Sequence, residues 1–256
     1  MSRKKSRLDL IAFDGDDTLW HNERSYRAGR ERFRRMLADA GVSLTVEEIE
    51  AAVNRTELRN LDHYGYGVSS FVLSLIETAI ELTGGRVAGA ELGALIALAK
   101  EMLGEEVELF EGAREVVSAL AADYPLMLVT KGDLLHQTSK LERSGLRDSF
   151  SFVEVVSRKT ADTYAAILSR HRIEPARFLM IGNSVRSDIL PVIDVGGWAI
   201  HLPAALSWSH EHAEIPDPMR HRCFELSGIG GVPDVIAALG GDRGLGIGDW
   251  ETSRRS

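Results

Sequence analysis

The 256-residue chain contains one cysteine, Cys223. No intrachain disulfide can brace it, and cysteine usage of this kind reads as cytoplasmic. Cys223 has no neighbour of the sort that activates a nucleophile and reads as a buried structural thiol. Basic residues are not in excess: 30 Lys and Arg stand against 38 Asp and Glu, a formal net charge of -8. Nucleic acids and anionic membranes both want a basic face, so neither is an expected partner. No apolar run approaches membrane-spanning length. The opening "MSRKKSRLDLIAF" lacks the long apolar region and small-residue cleavage site of a secretory signal, and reads as a tail followed by a strand. The glycines of Gly244-x-Gly246-x-Gly248 make no dinucleotide loop, because no strand precedes them and no helix follows.

Short apolar runs rich in branched residues are present: Asp9–Phe13, Leu126–Thr130, Phe152–Val156, Phe178–Gly182, Trp198–Leu202 and Cys223–Leu226. Helical patterns near Gly112–Ala122, Leu134–Ser144, Ala161–His171, Ser184–Val195 and Pro233–Leu239 alternate with them. Near-continuous apolar strands alternating with helices predict an α/β fold, a parallel sheet covered on both faces. The stretch from Trp20 to Leu109 contains no convincing strand. Its helical patterns include Arg27–Ala40, Val68–Leu82, Ala90–Leu103 and a helix opened by the capping box Thr45-Val-Glu-Glu48. The expected organisation is therefore a core of 1–20 plus 106–241, a helical insert over 21–105 and a flexible tail over 242–256. An insert after the first strand of a parallel sheet falls at the end where ligands bind, which suits a lid.

Residues at the expected strand ends carry the chemistry. "LIAFDGDDTLW" ends an apolar run in Asp14, Asp16 and Asp17, then Thr18. Like charges this close repel, so a cation or a chemical task should compensate. Thr130, Lys131 and Gly132 follow the second run; Arg158 and Lys159 follow the third; Gly182, Asn183, Ser184 and Asp188 follow the fourth. Parallel strands bring these ends to one edge. Carboxylates, a hydroxyl and a lysine gathered there can hold a divalent metal and a phosphate together.

Asp14-x-Asp16-x-Thr18-Leu19, Thr130, Lys159 and Gly182-Asn183-(x)4-Asp188, in this order and each behind a strand, resemble the four motifs of the haloacid dehalogenase superfamily. The resemblance covers residues of about 8–20 and 110–240. The helical insert resembles the superfamily's subfamily I cap. The resemblance implies a Rossmann-like, three-layer core and a Mg²⁺-dependent phosphatase acting on a small phosphate ester. It implies that Asp14 is the nucleophile, forming an aspartyl phosphate, and that Asp16 is the general acid and base. Thr130 and Lys159 would hold the phosphoryl oxygens, with Gly15, Lys131 and Gly132 lining the phosphate site. Asp14, the Asp16 carbonyl, Asp188 and, through water, Asn183 would hold Mg²⁺. Asp17 is expected to point away and cap local backbone. Members that cleave carbon–halogen bonds lack the second aspartate, so Asp16 favours phosphoryl chemistry over dehalogenation.

Three positions depart from the family pattern. Asn183 stands where aspartate is common, and also suits a helix N-cap. Lys131 stands where a small polar residue is usual, and either contacts phosphate or points to solvent. Thr160 stands where proline is frequent, which leaves Arg158 as the alternative to Lys159. Arg24, Arg27, His201, His210, His212 and His221 read as ordinary surface or core residues. "NLDHYGYG" (60–67) is either a substrate-selecting lid loop or a turn between helices. A phosphomutase using the same aspartates is the nearest alternative function, followed by a silent phosphate-binding or receiver-like protein. The oligomeric state is left open.

Overall fold

A computed structural model describes residues 8–206, 208, 211 and 213–240. In chain order the strands are β1 (Leu10–Phe13), β2 (Leu126–Lys131), β3 (Phe152–Val156), β4 (Phe178–Gly182), β5 (Trp198–His201) and β6 (Cys223–Glu225). The helices are α1 (Glu23–Asp39), α2 (Val46–Tyr64), α3 (Val68–Leu82), α4 (Gly89–Gly104), α5 (Ala113–Ala121), α6 (Leu134–Ser144), α7 (Ala161–His171), α8 (Leu190–Asp194) and α9 (Val232–Gly240). The chain divides into two compact units. The first runs up to His21, over Val107–Thr130 and onward from Lys140; the second comprises Asn22–Glu106 and Lys131–Ser139.

The first unit holds a six-stranded sheet of order β3-β2-β1-β4-β5-β6. β1 pairs in parallel with both β2 and β4, and β4–β5 and β5–β6 are parallel too. Alternation explains why whole strands are apolar. Ile11 and Phe13 pack on one side with Leu128, Ile181 and Val117. Leu10 and Ala12 pack on the other with Met127, Val129, Tyr164 and Met180. A strand covered on both faces has no polar side, and each large side chain so buried contributes about 1.5–3 kcal/mol. The register sets Phe13 beside Leu128 and Ile181, so β1 and β4 end within one residue of each other while β2 runs on to Lys131. The Asp14 N–H continues the ladder by donating to the Ile181 carbonyl at 2.9 Å.

The second unit packs α1–α4 around Phe33, Leu37, Val53, Phe71, Leu75 and Leu98. Its capping box is present: the Glu48 N–H donates to the Thr45 hydroxyl at 3.2 Å, and Glu48 Oε2 accepts from the Thr45 N–H at 2.8 Å. Residues 60–67 are the last turn of α2 and a short connection to α3, with Gly65 (φ 69) and Gly67 (φ 126) in the left-handed region that such a reversal needs. The expected organisation left residues 131–139 in the core; here they group with the helical unit. The Lys131 ammonium lies 4.0 Å from the Tyr66 ring centroid. Among the described residues no helix is long and apolar enough to cross a membrane. The tail over 242–256 and the histidines His210 and His212 lie outside the described residues.

Candidate active site

The C-terminal ends of β1 and β4, with the segment before α7, gather the charged residues of the first unit. Asp14, Lys159 and Asp188 are all buried, at 6%, 5% and 1% exposure. Lys159 Nζ donates to Asp14 Oδ1 at 2.5 Å and to Asp188 Oδ1 at 2.6 Å. The Thr18 hydroxyl donates to Asp14 Oδ2 at 3.1 Å and also approaches Asn183 Oδ1 at 3.4 Å. Asp188 Oδ2 accepts from the Ser184 N–H at 3.0 Å. Thr130, wholly buried, ends the same sheet edge.

Burial pushes the Asp14 carboxyl up to about 7: desolvation and the nearby Asp188 charge outweigh the opposing pull of Lys159. Burial alone would depress Lys159, but Asp14 and Asp188 more than reverse this and hold it protonated. Tyr164, beneath the cluster and fully buried, is also raised, chiefly by burial; its hydroxyl donates to the Ser187 carbonyl at 3.2 Å. Arg158 and Lys159, the two basic residues after β3, are placed differently. Lys159 points inward, whereas Arg158 is exposed and its carbonyl accepts from the Thr163 hydroxyl at 2.9 Å. Thr160, which stands where proline is frequent in the family pattern, caps α7 by accepting from the Thr163 N–H at 3.2 Å.

The expected helix Ser184–Val195 is a π-helical turn, Val185–Ile189, followed by α8. Single π turns are rare and tend to occur at functional sites. Its N-cap is Ser184, whose hydroxyl accepts from the Ser187 N–H at 3.0 Å, so the cap role offered for Asn183 falls to its neighbour. Gly182 makes room for the turn: a Cβ there would stand 2.3 Å from Asp188 Oδ2. Gly15 is similarly confined, since a Cβ would stand 2.5 Å from the Trp20 ring. That close approach is a packing reason for glycine at 15, separate from the phosphate role expected of it. Asp17 adopts φ 57, and its N–H donates to the Trp20 carbonyl at 2.8 Å, closing the turn after β1.

Lys131 lies over the Tyr66 ring, and Gly132 (φ 130) grants the left-handed turn beside it. Arg24, Arg27 and His221 are exposed. His201 Nδ1 lies 3.0 Å from Glu225 Oε2, and its Nε2 lies 3.2 Å from the Asn183 carbonyl. Cys223 is buried and raised to about 12, first by desolvation and then by Glu225.

Sequence reasoning missed Lys140. Its ammonium donates to Asp16 Oδ1 at 2.5 Å, and the Trp20 indole N–H donates to the same oxygen at 2.7 Å. The signal was available: Gln137, Lys140, Leu141 and Ser144 are buried at the 3-4-7 spacing of one face of α6. A lysine on that face must meet a carboxylate or an equivalent acceptor.

The donor set fits a hard divalent cation. Asp14 and Asp188 supply carboxylate oxygens, and the Asn183 amide oxygen shares Thr18 with Asp14. It holds two carboxylates rather than three because residue 183 is asparagine, and among the described residues no group of three or more His, Cys, Asp and Glu is placed to bind a metal.

A family model for haloacid dehalogenase-like hydrolases matches residues 8–196, and the chain belongs to that family. It is 38% identical to a solved haloacid dehalogenase-like family hydrolase from Xanthomonas campestris, covering 100% of this chain and 98% of that one with a TM-score of 0.81. It is 27% identical over 196 residues to the pyrimidine 5'-nucleotidase YjjG of Escherichia coli K12, covering 73% of this chain and 83% of that protein. The fold is shared with the magnesium-bound HAD-hydrolase YfnB of Bacillus subtilis, at 18% identity, TM-score 0.62 and coverage of 90% and 99%. It is shared as well with the L-2-haloacid dehalogenase of Xanthobacter autotrophicus, at 19% identity, TM-score 0.61 and coverage of 90% and 98%.

Proposed function

We propose that this hydrolase is a Mg²⁺-dependent phosphatase that cleaves a small phosphorylated metabolite through an aspartyl phosphate on Asp14. The observation that carries the reading is a second carboxylate, Asp16, two residues beyond the buried Asp14 and held by Trp20 and Lys140. A halide leaves without a proton, whereas an alkoxide does not, so a positioned acid at this place serves an ester and not a carbon–halogen bond. The likeness to a pyrimidine 5'-nucleotidase supports the same class.

In this reading Asp14 attacks phosphorus as the ester P–O bond breaks. The bond's electron pair passes to the leaving oxygen, which takes a proton from Asp16. Asp16 then takes a proton from water as that water attacks the phosphorus of the aspartyl phosphate, freeing Asp14 and inorganic phosphate. Thr130 donates to a phosphoryl oxygen. Lys159, kept protonated by its two carboxylates, is the cation that meets the phosphoryl group. Asp14, Asp188, the Asp16 carbonyl and, through water, Asn183 would hold Mg²⁺, which when bound supplies charge neutralisation at the phosphoryl oxygens. The helical unit is read as the superfamily's cap, and the protein as cytoplasmic.

The test is phosphate release from p-nitrophenyl phosphate and a panel of nucleotide, sugar and cofactor monophosphates, with Mg²⁺ and with EDTA. Mg²⁺-dependent release should fall by about 10³-fold or more in Asp14→Asn. Near-normal release from that variant would sink the mechanism. Isomerised substrate in place of free phosphate would turn the reading to a mutase.

A further inference from the structure

We infer that Lys140, together with Trp20, is a positioning residue for Asp16, aiming its carboxylate and stabilising the charge it acquires when it protonates the leaving group. The inference rests on the phosphatase reading and deepens it.

Lys140 sits on α6, far along the chain from the turn that carries Asp16, and 124 positions separate the two. Its side chain is 8% exposed. A buried ion pair is poor evidence of a device for stability, since two apolar side chains in its place usually fold as well. What distinguishes this pair is its geometry. Two donors from different directions, the Lys140 ammonium and the Trp20 indole N–H, converge on one oxygen, Oδ1. Two bonds to the same oxygen fix both the side-chain torsions and the plane of the carboxylate. The backbone around Asp16 is fixed as well. Asp17 lies at φ 57, the Leu19 N–H donates to the Gly15 carbonyl at 2.8 Å, and the Trp20 ring packs against Gly15.

Lys140 therefore acts through Asp16 and not on phosphorus, where Lys159 already provides the cation. In the first chemical step the P–O bond breaks and the leaving oxygen takes the Asp16 proton, so negative charge grows on Asp16 beside the ammonium. That help matters most when the leaving group is a poor one.

The experiment measures kcat and KM for the full chain with Mg²⁺ over a leaving-group series, from p-nitrophenyl phosphate through phenyl phosphate to an alkyl phosphate. Wild type, Lys140→Met, Lys140→Arg and Trp20→Phe are compared. Lys140→Met should lose about 100-fold in kcat on the alkyl ester and under ~10-fold on p-nitrophenyl phosphate, with KM little changed. Lys140→Arg should recover part of the loss. Trp20→Phe keeps an aromatic ring against Gly15, removes the N–H, and should steepen the series in the same sense by less. Parallel losses across the series in Lys140→Met and Trp20→Phe, or no loss in either, would overturn the inference and leave the phosphatase reading standing. A wild type that releases no phosphate from any ester would overturn both.

Discussion

Both units hold a basic side chain among carboxylates, Lys159 buried and Arg30 partly buried, and both push one acid up to about 7: Asp14 in the sheet unit and Glu57 in the helical unit. Desolvation is the leading cause in each. The assemblies nonetheless differ. In the helical unit Arg30 reaches Glu50 at 2.6 Å, Asn54 at 3.0 Å and Glu57, while Arg34 also bonds Glu50. Residues 50, 54 and 57 follow one face of α2, and the guanidinium fork is filled by fixed partners. In the sheet unit the partners of Lys159 lie 145 and 29 positions away and arrive from separate strand ends. An ammonium shared by two carboxylates is a point charge that a phosphoryl group can take over. A raised pKa therefore does not by itself mark an active site. Convergence of distant strand ends, with hydroxyls and an amide beside the charges, is the better discriminator.

Removing Lys159 breaks the comparison most sharply. Lys159→Met leaves Asp14 and Asp188 facing one another without their buried cation, and losing one partner of such a cluster costs about 3–5 kcal/mol. The expected outcome is loss of turnover and a large drop in thermal midpoint in EDTA, partly restored by Mg²⁺ because the cation replaces the missing charge. Urea unfolding with and without Mg²⁺ checks this. Equal stability of variant and wild type in EDTA would mean the carboxylates do not depend on Lys159.

The helical cluster should answer to pH instead. Glu57 rises from 4.5 to about 7, since burial outweighs Arg30, and Glu23 and Glu50 add repulsion. The folded state thus holds the proton more tightly than the unfolded one. Its contribution is greatest below pH 4.5 and is lost as pH rises toward 7. Between pH 5 and 8 the wild type should lose about 2 kcal/mol relative to Glu57→Gln, allowing for partial solvent access. Parallel stability curves for the two proteins would refute the assignment.

These two clusters also show what could be read before folding. β1, β2 and β4 were legible because strands covered on both faces must be apolar throughout, and the polar residues that interrupt them fall at one edge. Asp14, Lys159 and Asp188 were named from that rule and the family pattern, and the structure brings all three within hydrogen-bonding reach. The spacing of Gln137, Lys140, Leu141 and Ser144 marks one face of α6, but which carboxylate Lys140 meets there is set by how the helix docks. The π turn at Val185–Ile189 was read as ordinary helix because helical periodicity does not resolve one extra residue per turn. The place of Lys131 over Tyr66 depends on a contact between residues 65 positions apart, with no pattern in either stretch to announce it.

The smallest effect sharpens the question of charge. Asn183 contributes an amide oxygen 3.4 Å from the Thr18 hydroxyl, and its backbone carbonyl faces His201 Nε2 at 3.2 Å. Asn183→Asp keeps the shape and adds a carboxylate to a cluster already raised by Asp188. Without metal that should destabilise the fold by about 1 kcal/mol, as like charges crowd together. With metal the added charge becomes attraction, and Mg²⁺ should bind several-fold more tightly, about 1 kcal/mol. Turnover at saturating Mg²⁺ should stay near wild type, because residue 183 touches neither the attacking nor the leaving oxygen in this scheme. Titrating activity against Mg²⁺ for both proteins separates the effects. An unchanged Mg²⁺ midpoint would place Asn183 outside the metal's reach, and the cation would then rest on Asp14, Asp188 and backbone oxygen alone.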